Sequence, residues 1–361
     1  MVNGKQWILK NVDNTGGAFN YDFGSEDSTF ELVDIEYSEN DLADGELLIK
    51  VMYLANDPAQ KFWIAPVDRS YSDGIKVGDR IPSQGLAKVL ASKSNKFKEG
   101  DYIVGFTGWA THAVVKDSIG FTKISPDSVK HLWWYMSVFG STALTAYFAL
   151  TQYAGLQERE ADYGKVFLVS GAAGAVGSMT IQLASNIFKA SKIIAIAGGP
   201  EKVKFVESFG KNVIGVDYKA TDFKEKLLEA AGGQYTVDYF VDNVGGEVLD
   251  TSIKLLKLHA TIVAVGAIAG YNDRSKGVFK NYMSVITKRL TIHGFIVSDL
   301  RDKFPEALAK LSGYLKEGKL DPSNISTVED ATGDNFKKVP LIWNGLFHGA
   351  NKGRLLTKIS E

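Results

Sequence analysis

The stretch Val166 to Ser178, VFLVSGAAGAVGS, constrains this chain more than any other, because an apolar strand runs into a glycine-rich turn and straight on into a helix. Small residues from Ala172 to Gly177 let backbone N–H groups approach a pyrophosphate, and the following helix aims its positive N-terminus at the same spot. The pattern is A-x-G-x-x-G, with Ala172 standing where the first glycine of such turns usually lies. Alone, the motif also describes a tight strand-to-helix turn that binds nothing.

Its surroundings decide. From Lys165 onward apolar strands alternate with helical segments: strands at 166–170, 192–198, 213–218, 237–245, 260–266 and 290–298, with helices between them. The strands are continuous apolar runs, as expected when helices cover both faces of a parallel sheet. Six of them make a complete Rossmann sheet, a doubly wound α/β fold. The first 130 residues are instead punctuated by turn signals such as Asp44-Gly45, Asp57-Pro58, Asp73-Gly74 and Gly100-Asp101, which predict short antiparallel strands in a barrel-like domain. Residues 131–150, apolar at helical spacing and broken by Gly140, read as the link between the two. A helix near 302–317 precedes a C-terminal segment that returns to the first domain.

Composition removes several functions. A net charge of -1 offers no footprint for nucleic acid or an acidic membrane surface. No uncharged run reaches the roughly 18 residues of a membrane span, and the N-terminus lacks a signal-peptide core, so a cytoplasmic location is expected. The chain has no cysteine, which excludes disulfides, thiolate nucleophiles and Cys-ligated zinc. Its histidines, His112, His131, His259, His293 and His348, show no metal-ligand spacing and read as packed or surface residues. The chemistry is therefore expected to be metal-free and borrowed from an organic cofactor.

Dinucleotide sites that take NAD carry an acid about 20 residues past the glycine turn, at the end of the second strand. Here that strand ends Ala197-Gly198-Gly199, followed by Lys202, so a 2'-phosphate is accepted better than a bare hydroxyl and NADP(H) is the expected cofactor. Glu201 is read as a helix-dipole carboxylate. Two strand ends, Asn243-Val244-Gly245-Gly246 and Val265 to Tyr271 (VGAIAGY), lie where open parallel sheets bind ligands. Asp238 and Asp242 share a strand face, which a strand end near a helix N-terminus explains equally well.

These residues add up to a resemblance. LANDP (54–58), KFKEGDYIV (96–104) with Gly108-Trp109, LTAY (144–147), SGAAGAVGS, YFVDNVGG (239–246), VGAIAGYN, ITKR (286–289), GFIVSD (294–299) and NKGR (351–354) run in the same order as in the zinc-independent medium-chain dehydrogenase/reductases. The resemblance is to the group of leukotriene hydroxydehydrogenase and prostaglandin reductases, plant alkenal double-bond reductases and bacterial curcumin reductases. It implies a GroES-like antiparallel β-barrel domain (1–139 and 323–361) with an inserted Rossmann NADP-binding domain (140–322), and a homodimer formed through the latter. It further implies that Gly174, Ala175, Val176 and Gly177 cradle the pyrophosphate of NADPH and that Lys202 and Tyr218 hold its 2'-phosphate end. Asn243, Val265, Gly266, Ala267, Ile268, Ala269, Gly270, Tyr271, Phe295, Ile296, Val297 and Asn351 would line the rest. Two departures fall near the substrate side. Ala59-Gln60-Lys61 replaces the usual Tyr-Met-Arg, and Phe139-Gly140-Ser141-Thr142 replaces Gly-Met-Pro-Gly.

The activity so implied is hydride transfer to the β-carbon of an α,β-unsaturated ketone or aldehyde. With no metal, a hydrogen-bond donor must meet the developing enolate oxygen. A tyrosine suits this, since its pKa near roughly 10 keeps it a donor at neutral pH. Tyr271 is the first candidate and Tyr71 the second; solvent is left as the source of the α-proton. The alternatives are quinone or carbonyl reduction by NADPH, and an NADPH-binding protein without turnover. A methyltransferase reading of the glycine turn leaves YFVDNVGG unexplained.

Overall fold

A computed structural model describes residues 1–12, 17–64 and 74–361. In chain order its strands are β1 (Val2–Leu9), β2 (Phe30–Tyr37), β3 (Glu46–Ala55), β4 (Gln84–Ser92), β5 (Tyr102–Phe106), β6 (His112–Lys116), β7 (Thr122–Ile124), β8 (Val166–Val169), β9 (Lys192–Ala197), β10 (Val213–Asp217), β11 (Val237–Asp242), β12 (Leu256–Ala264), β13 (Thr291–Gly294), β14 (Ser326–Asp330) and β15 (Arg354–Lys358). Two units share them. One comprises Met1–Met136, Thr327–Ala350 and Leu355–Glu361; the other Ser137–Ser326 and Asn351–Arg354.

The first unit is built on β3, which pairs antiparallel with β15, β4 and β6, while β4 continues to β5 and β5 to β7. Its core mixes aliphatic side chains with a cluster of aromatic ones. Trp109 lies 5.6 Å from Phe30 and 5.8 Å from Trp343, ring centre to ring centre, and all three are fully buried. Two of the buried indoles place their N–H on backbone oxygen: Trp343 donates to the Asp57 carbonyl at 2.8 Å and Trp7 to that of Phe336 at 3.2 Å, whereas the Trp109 N–H has no hydrogen-bond partner among the described residues. Two residues of the first departure noted above belong to this interior. Gln60 accepts from the Asp57 amide at 2.9 Å and donates to the Pro82 carbonyl at 2.9 Å. The buried Lys61 ammonium donates to the Gly17 carbonyl and sits 3.5 Å from the centre of the Phe19 ring.

In the second unit the six strands form one parallel sheet in the order β10-β9-β8-β11-β12-β13. Leu168, Ile194, Val216, Phe240 and Ile262 fill one of its faces. Chain order reverses between β8 and β11, and ligand sites of such sheets lie at the carboxyl ends beside that reversal. Every strand of this sheet ends before its apolar run does, two of them by three or four residues. The run 237–245 stops at Asp242, whose carboxylate accepts from the Val244 and Gly245 amides at 3.0 and 3.1 Å and turns the chain. The run 290–298 yields only β13, which among the described residues has a strand neighbour on one side only, and the chain then coils into helical turns at Val297–Lys303. Asp238 is likewise structural, accepting from the Val166 amide at 2.9 Å and from Lys257 at 2.8 Å. No helix among the described residues is long and apolar enough to cross a membrane.

Candidate cofactor and catalytic site

β8 leaves the sheet at Ser170 and turns at Gly171, whose φ of +57° lies in the left-handed region that a side chain disfavours. The tight-turn glycine is therefore Gly171, and Ala172 does not stand in for it. Gly174 caps the helix Ala175–Asn186. Ala172, Ala173 and the helix from Gly177 to Ala184 are buried, whereas Gly174, Ala175 and Val176 are only half-buried. The first-turn amides, which have no partner within a helix, thus open where an anion would sit. Residues 351–354 run beside this turn: the Gly353 amide donates to the Ala173 carbonyl at 2.7 Å, and Gly353 bridges Gly174 in parallel. Asn351 is buried next to it and donates to the Gly353 carbonyl at 2.6 Å.

At the neighbouring strand end, Ser170 organises the loop after β11. Its hydroxyl donates to Asp242 at 2.6 Å and accepts from the Asn243 amide at 2.9 Å, while its carbonyl takes the Asn243 side chain at 2.7 Å. Burial pushes the Asp242 carboxyl above the ordinary aspartate range, against the opposite pull of Ser170 and the Val244 and Gly245 amides. Its backbone carbonyl holds the next loop as well, accepting from the Val265 and Gly266 amides at 2.8 and 3.2 Å. Asn243 and the 265–271 loop are thereby locked together. Within that loop the Tyr271 hydroxyl oxygen accepts from the Ala267 amide at 3.2 Å. Burial raises the Tyr271 pKa, with the Ala267 amide pulling it down and the Asp242 charge adding to the rise, so it stays a phenol at neutral pH.

Tyr71 lies outside the described residues, as does Asp73 of the Asp73-Gly74 turn. Phe295, Ile296 and Val297 sit beyond the end of β13, where Phe295 stacks on Tyr153 with centroids 4.3 Å apart. Sequence reasoning missed Tyr153, Ser170 and Gly171, and set Asp242 aside. The serine and glycine were legible in SGAAG; the stacking partner was not.

Tyr218 packs against Gly198, and the Lys202 amide donates to the Gly199 carbonyl at 3.1 Å. An added side chain at Gly198 would meet the Tyr218 ring at 2.7 Å and the Lys219 methylene next to its ammonium at 3.1 Å. Burial lowers the Lys202 pKa, and the charges of Lys219 and Lys352 lower it further. Lys219 and Lys352 thus add positive charge near Lys202, partly balanced by Glu201, 3.2 Å from the Lys352 ammonium, and by Asp217 on the Gly199 amide, and a dianionic 2'-phosphate would relieve the remaining repulsion. Together with the open helix amides this fits a 2'-phosphorylated dinucleotide. Among the described residues no group of three or more His, Asp or Glu side chains could hold a metal ion.

The zinc-binding dehydrogenase family matches residues 175–313, and the N-terminal domain of oxidoreductase family matches residues 22–124. The chain is 57% identical to the "Uncharacterized membrane protein YML131W" of Saccharomyces cerevisiae over the whole of both chains. It is 31% identical to the NADP(+)-dependent 2-alkenal reductase of Nicotiana tabacum, covering 100% of this chain and 98% of the relative. Among solved structures, CurA of Vibrio vulnificus in complex with NADPH superposes with a TM-score of 0.83 at 25% identity, over 99% of each chain.

Proposed function

Because the chain belongs to the medium-chain dehydrogenase/reductases, in the prostaglandin reductase and alkenal reductase group, we propose that it reduces the conjugated C=C bond of α,β-unsaturated ketones and aldehydes at the expense of NADPH. The observation that carries this reading is Tyr271, a phenol kept protonated by burial and fixed through the Ala267 amide in the loop that Asp242 ties to Asn243. NADPH, when bound, supplies a hydride to the β-carbon. The protein's own part is to hold and polarise. Amides of the 174–177 turn bind the pyrophosphate, and Lys202 with Tyr218 grips the 2'-phosphate. Asn243 and the 265–271 backbone, with Phe295 to Val297 and Asn351, shape the remainder. Tyr271 donates to the carbonyl oxygen as it acquires enolate charge, an interaction stronger in the transition state than in the ground state. The α-carbon then takes a proton from solvent, giving the saturated carbonyl compound and NADP+.

The test is which acceptor the protein reduces. NADPH consumption confined to enals and enones, faster than with NADH, supports the reading; turnover of quinones or saturated carbonyls alone contradicts it.

We further propose that the protein is a homodimer joined along β13. The outer edge of β13 has no strand neighbour among the described residues. Beside it the helix Met283–Lys288 turns Val285 toward the core yet leaves Met283 67% and Ile286 60% exposed, with Tyr282 at 63% and Ile292 at 43%. Free edges and contiguous apolar patches invite pairing, and a second copy supplies the same edge and patch in a two-fold arrangement. Light scattering should give twice the chain mass, and Met283→Glu with Ile286→Glu should give monomers. A wild-type monomer contradicts the dimer.

A further inference from the structure

One ion pair near the cofactor's adenosine end has no counterpart in the sequence reading. Glu201 stands in the first turn of the helix Pro200–Glu207, directly after the end of β9. An acid there is what a bare ribose 2'-hydroxyl needs, and its charge opposes a 2'-phosphate. In the fold, the Lys352 ammonium lies 3.2 Å from the Glu201 carboxylate. Residues 351–354, which carry Lys352, are stitched to the glycine turn through Gly353. Lys202 adjoins Glu201 in the same turn, and Lys219 lies over Gly198. Two anions stand at this corner: Asp217, whose carboxylate is taken up by the Gly199 and Lys219 amides at 2.7 and 2.9 Å, and Glu201, which the Lys352 ammonium meets.

We infer that Lys352 is a specificity-determining residue for NADPH: by pairing with Glu201 it neutralises the carboxylate that would otherwise favour NADH and repel the 2'-phosphate. The pair spans 151 positions of sequence and is exposed, the Glu201 side chain at 80% and Lys352 at 44%, so its contribution to folding is small. Its consequence lies in charge balance at the site. The inference rests on NADPH being the cofactor, and the experiment separates the two.

Calorimetric titration with 2',5'-ADP and 5'-AMP, fragments with and without the 2'-phosphate, needs no turnover. Lys352→Leu in the full-length protein is expected to weaken 2',5'-ADP by about 10-fold while changing 5'-AMP by less than about 2-fold. Lys352→Arg should restore 2',5'-ADP binding to within about 2-fold of wild type, since the charge is kept. With Glu201→Gln already present, Lys352→Leu should cost only about 3-fold, the two residues acting through one another. Equal losses for both fragments would overturn the inference, because Lys352 would then merely hold the 351–354 segment in place. An unchanged affinity for 2',5'-ADP would overturn it too. A wild-type protein that fails to distinguish the fragments would remove the NADPH premise, and the inference with it.

Discussion

Replacing Gly177 by alanine is expected to weaken NADPH binding on the order of 10²-fold and to lower stability by about 2–4 kcal/mol. A β-carbon at this position would lie 2.5 Å from the Gly171 carbonyl oxygen, 2.6 Å from the Ala172 α-carbon and 2.7 Å from the Ala172 carbonyl oxygen. All three are backbone atoms, so no side chain can swing aside. The helix Ala175–Asn186 must withdraw from the turn, yet it is buried from Gly177 to Ala184 and has little room to move. Withdrawal displaces the same amides that meet the pyrophosphate. Thermal unfolding with and without NADPH reads both effects, since the rise that ligand gives to the midpoint depends on its affinity. A variant that melts like wild type and gains the same rise on adding NADPH would contradict this account of the turn.

Tyr271→Phe is expected to act differently, lowering turnover of an enone on the order of 10²-fold while leaving NADPH affinity within about 2-fold, because the hydroxyl serves charge that exists only during reaction. Removal also frees the Ala267 amide, which loses its acceptor at 3.2 Å. Such a loss on a half-exposed loop costs about 1 kcal/mol, too little to unfold the protein. Steady-state kinetics and fluorescence titration with NADPH separate the two quantities. Equal turnover by the phenylalanine variant would leave Tyr271 as a wall of the site and move the donor elsewhere.

Much of the second unit was legible in the chain because parallel strands buried on both faces leave continuous apolar runs. VFLV, KIIAIA and VDYFVD became β8, β9 and β11 with at most small changes of boundary. Boundaries failed where side chains, not hydropathy, end a strand. Asp242 halts β11 by capturing two amides, and β13 stops early at the sheet's edge although GFIVS reads as strand. The glycine pattern was placed one residue late, since hydropathy cannot say which small residue of SGAAG takes positive φ. Contacts across long separations were illegible for a different reason. Nothing local in NKGR tells that Lys352 will meet Glu201, and nothing in GFIVSD tells that Phe295 will stack on Tyr153. Similarly, Gln60 and Lys61 looked like altered substrate-side residues, and their partners Pro82, Gly17 and Phe19 show them tied into the first unit's own packing.

The fate of a single hydrogen tests the proposed activity most directly. NADPH carrying deuterium in its transferable position is supplied with a trans-3-alken-2-one, and the product is examined by NMR. Deuterium at the β-carbon of the saturated ketone, with solvent hydrogen at the α-carbon, is the predicted result. Deuterium at the carbonyl carbon of an allylic alcohol, the double bond intact, would contradict it.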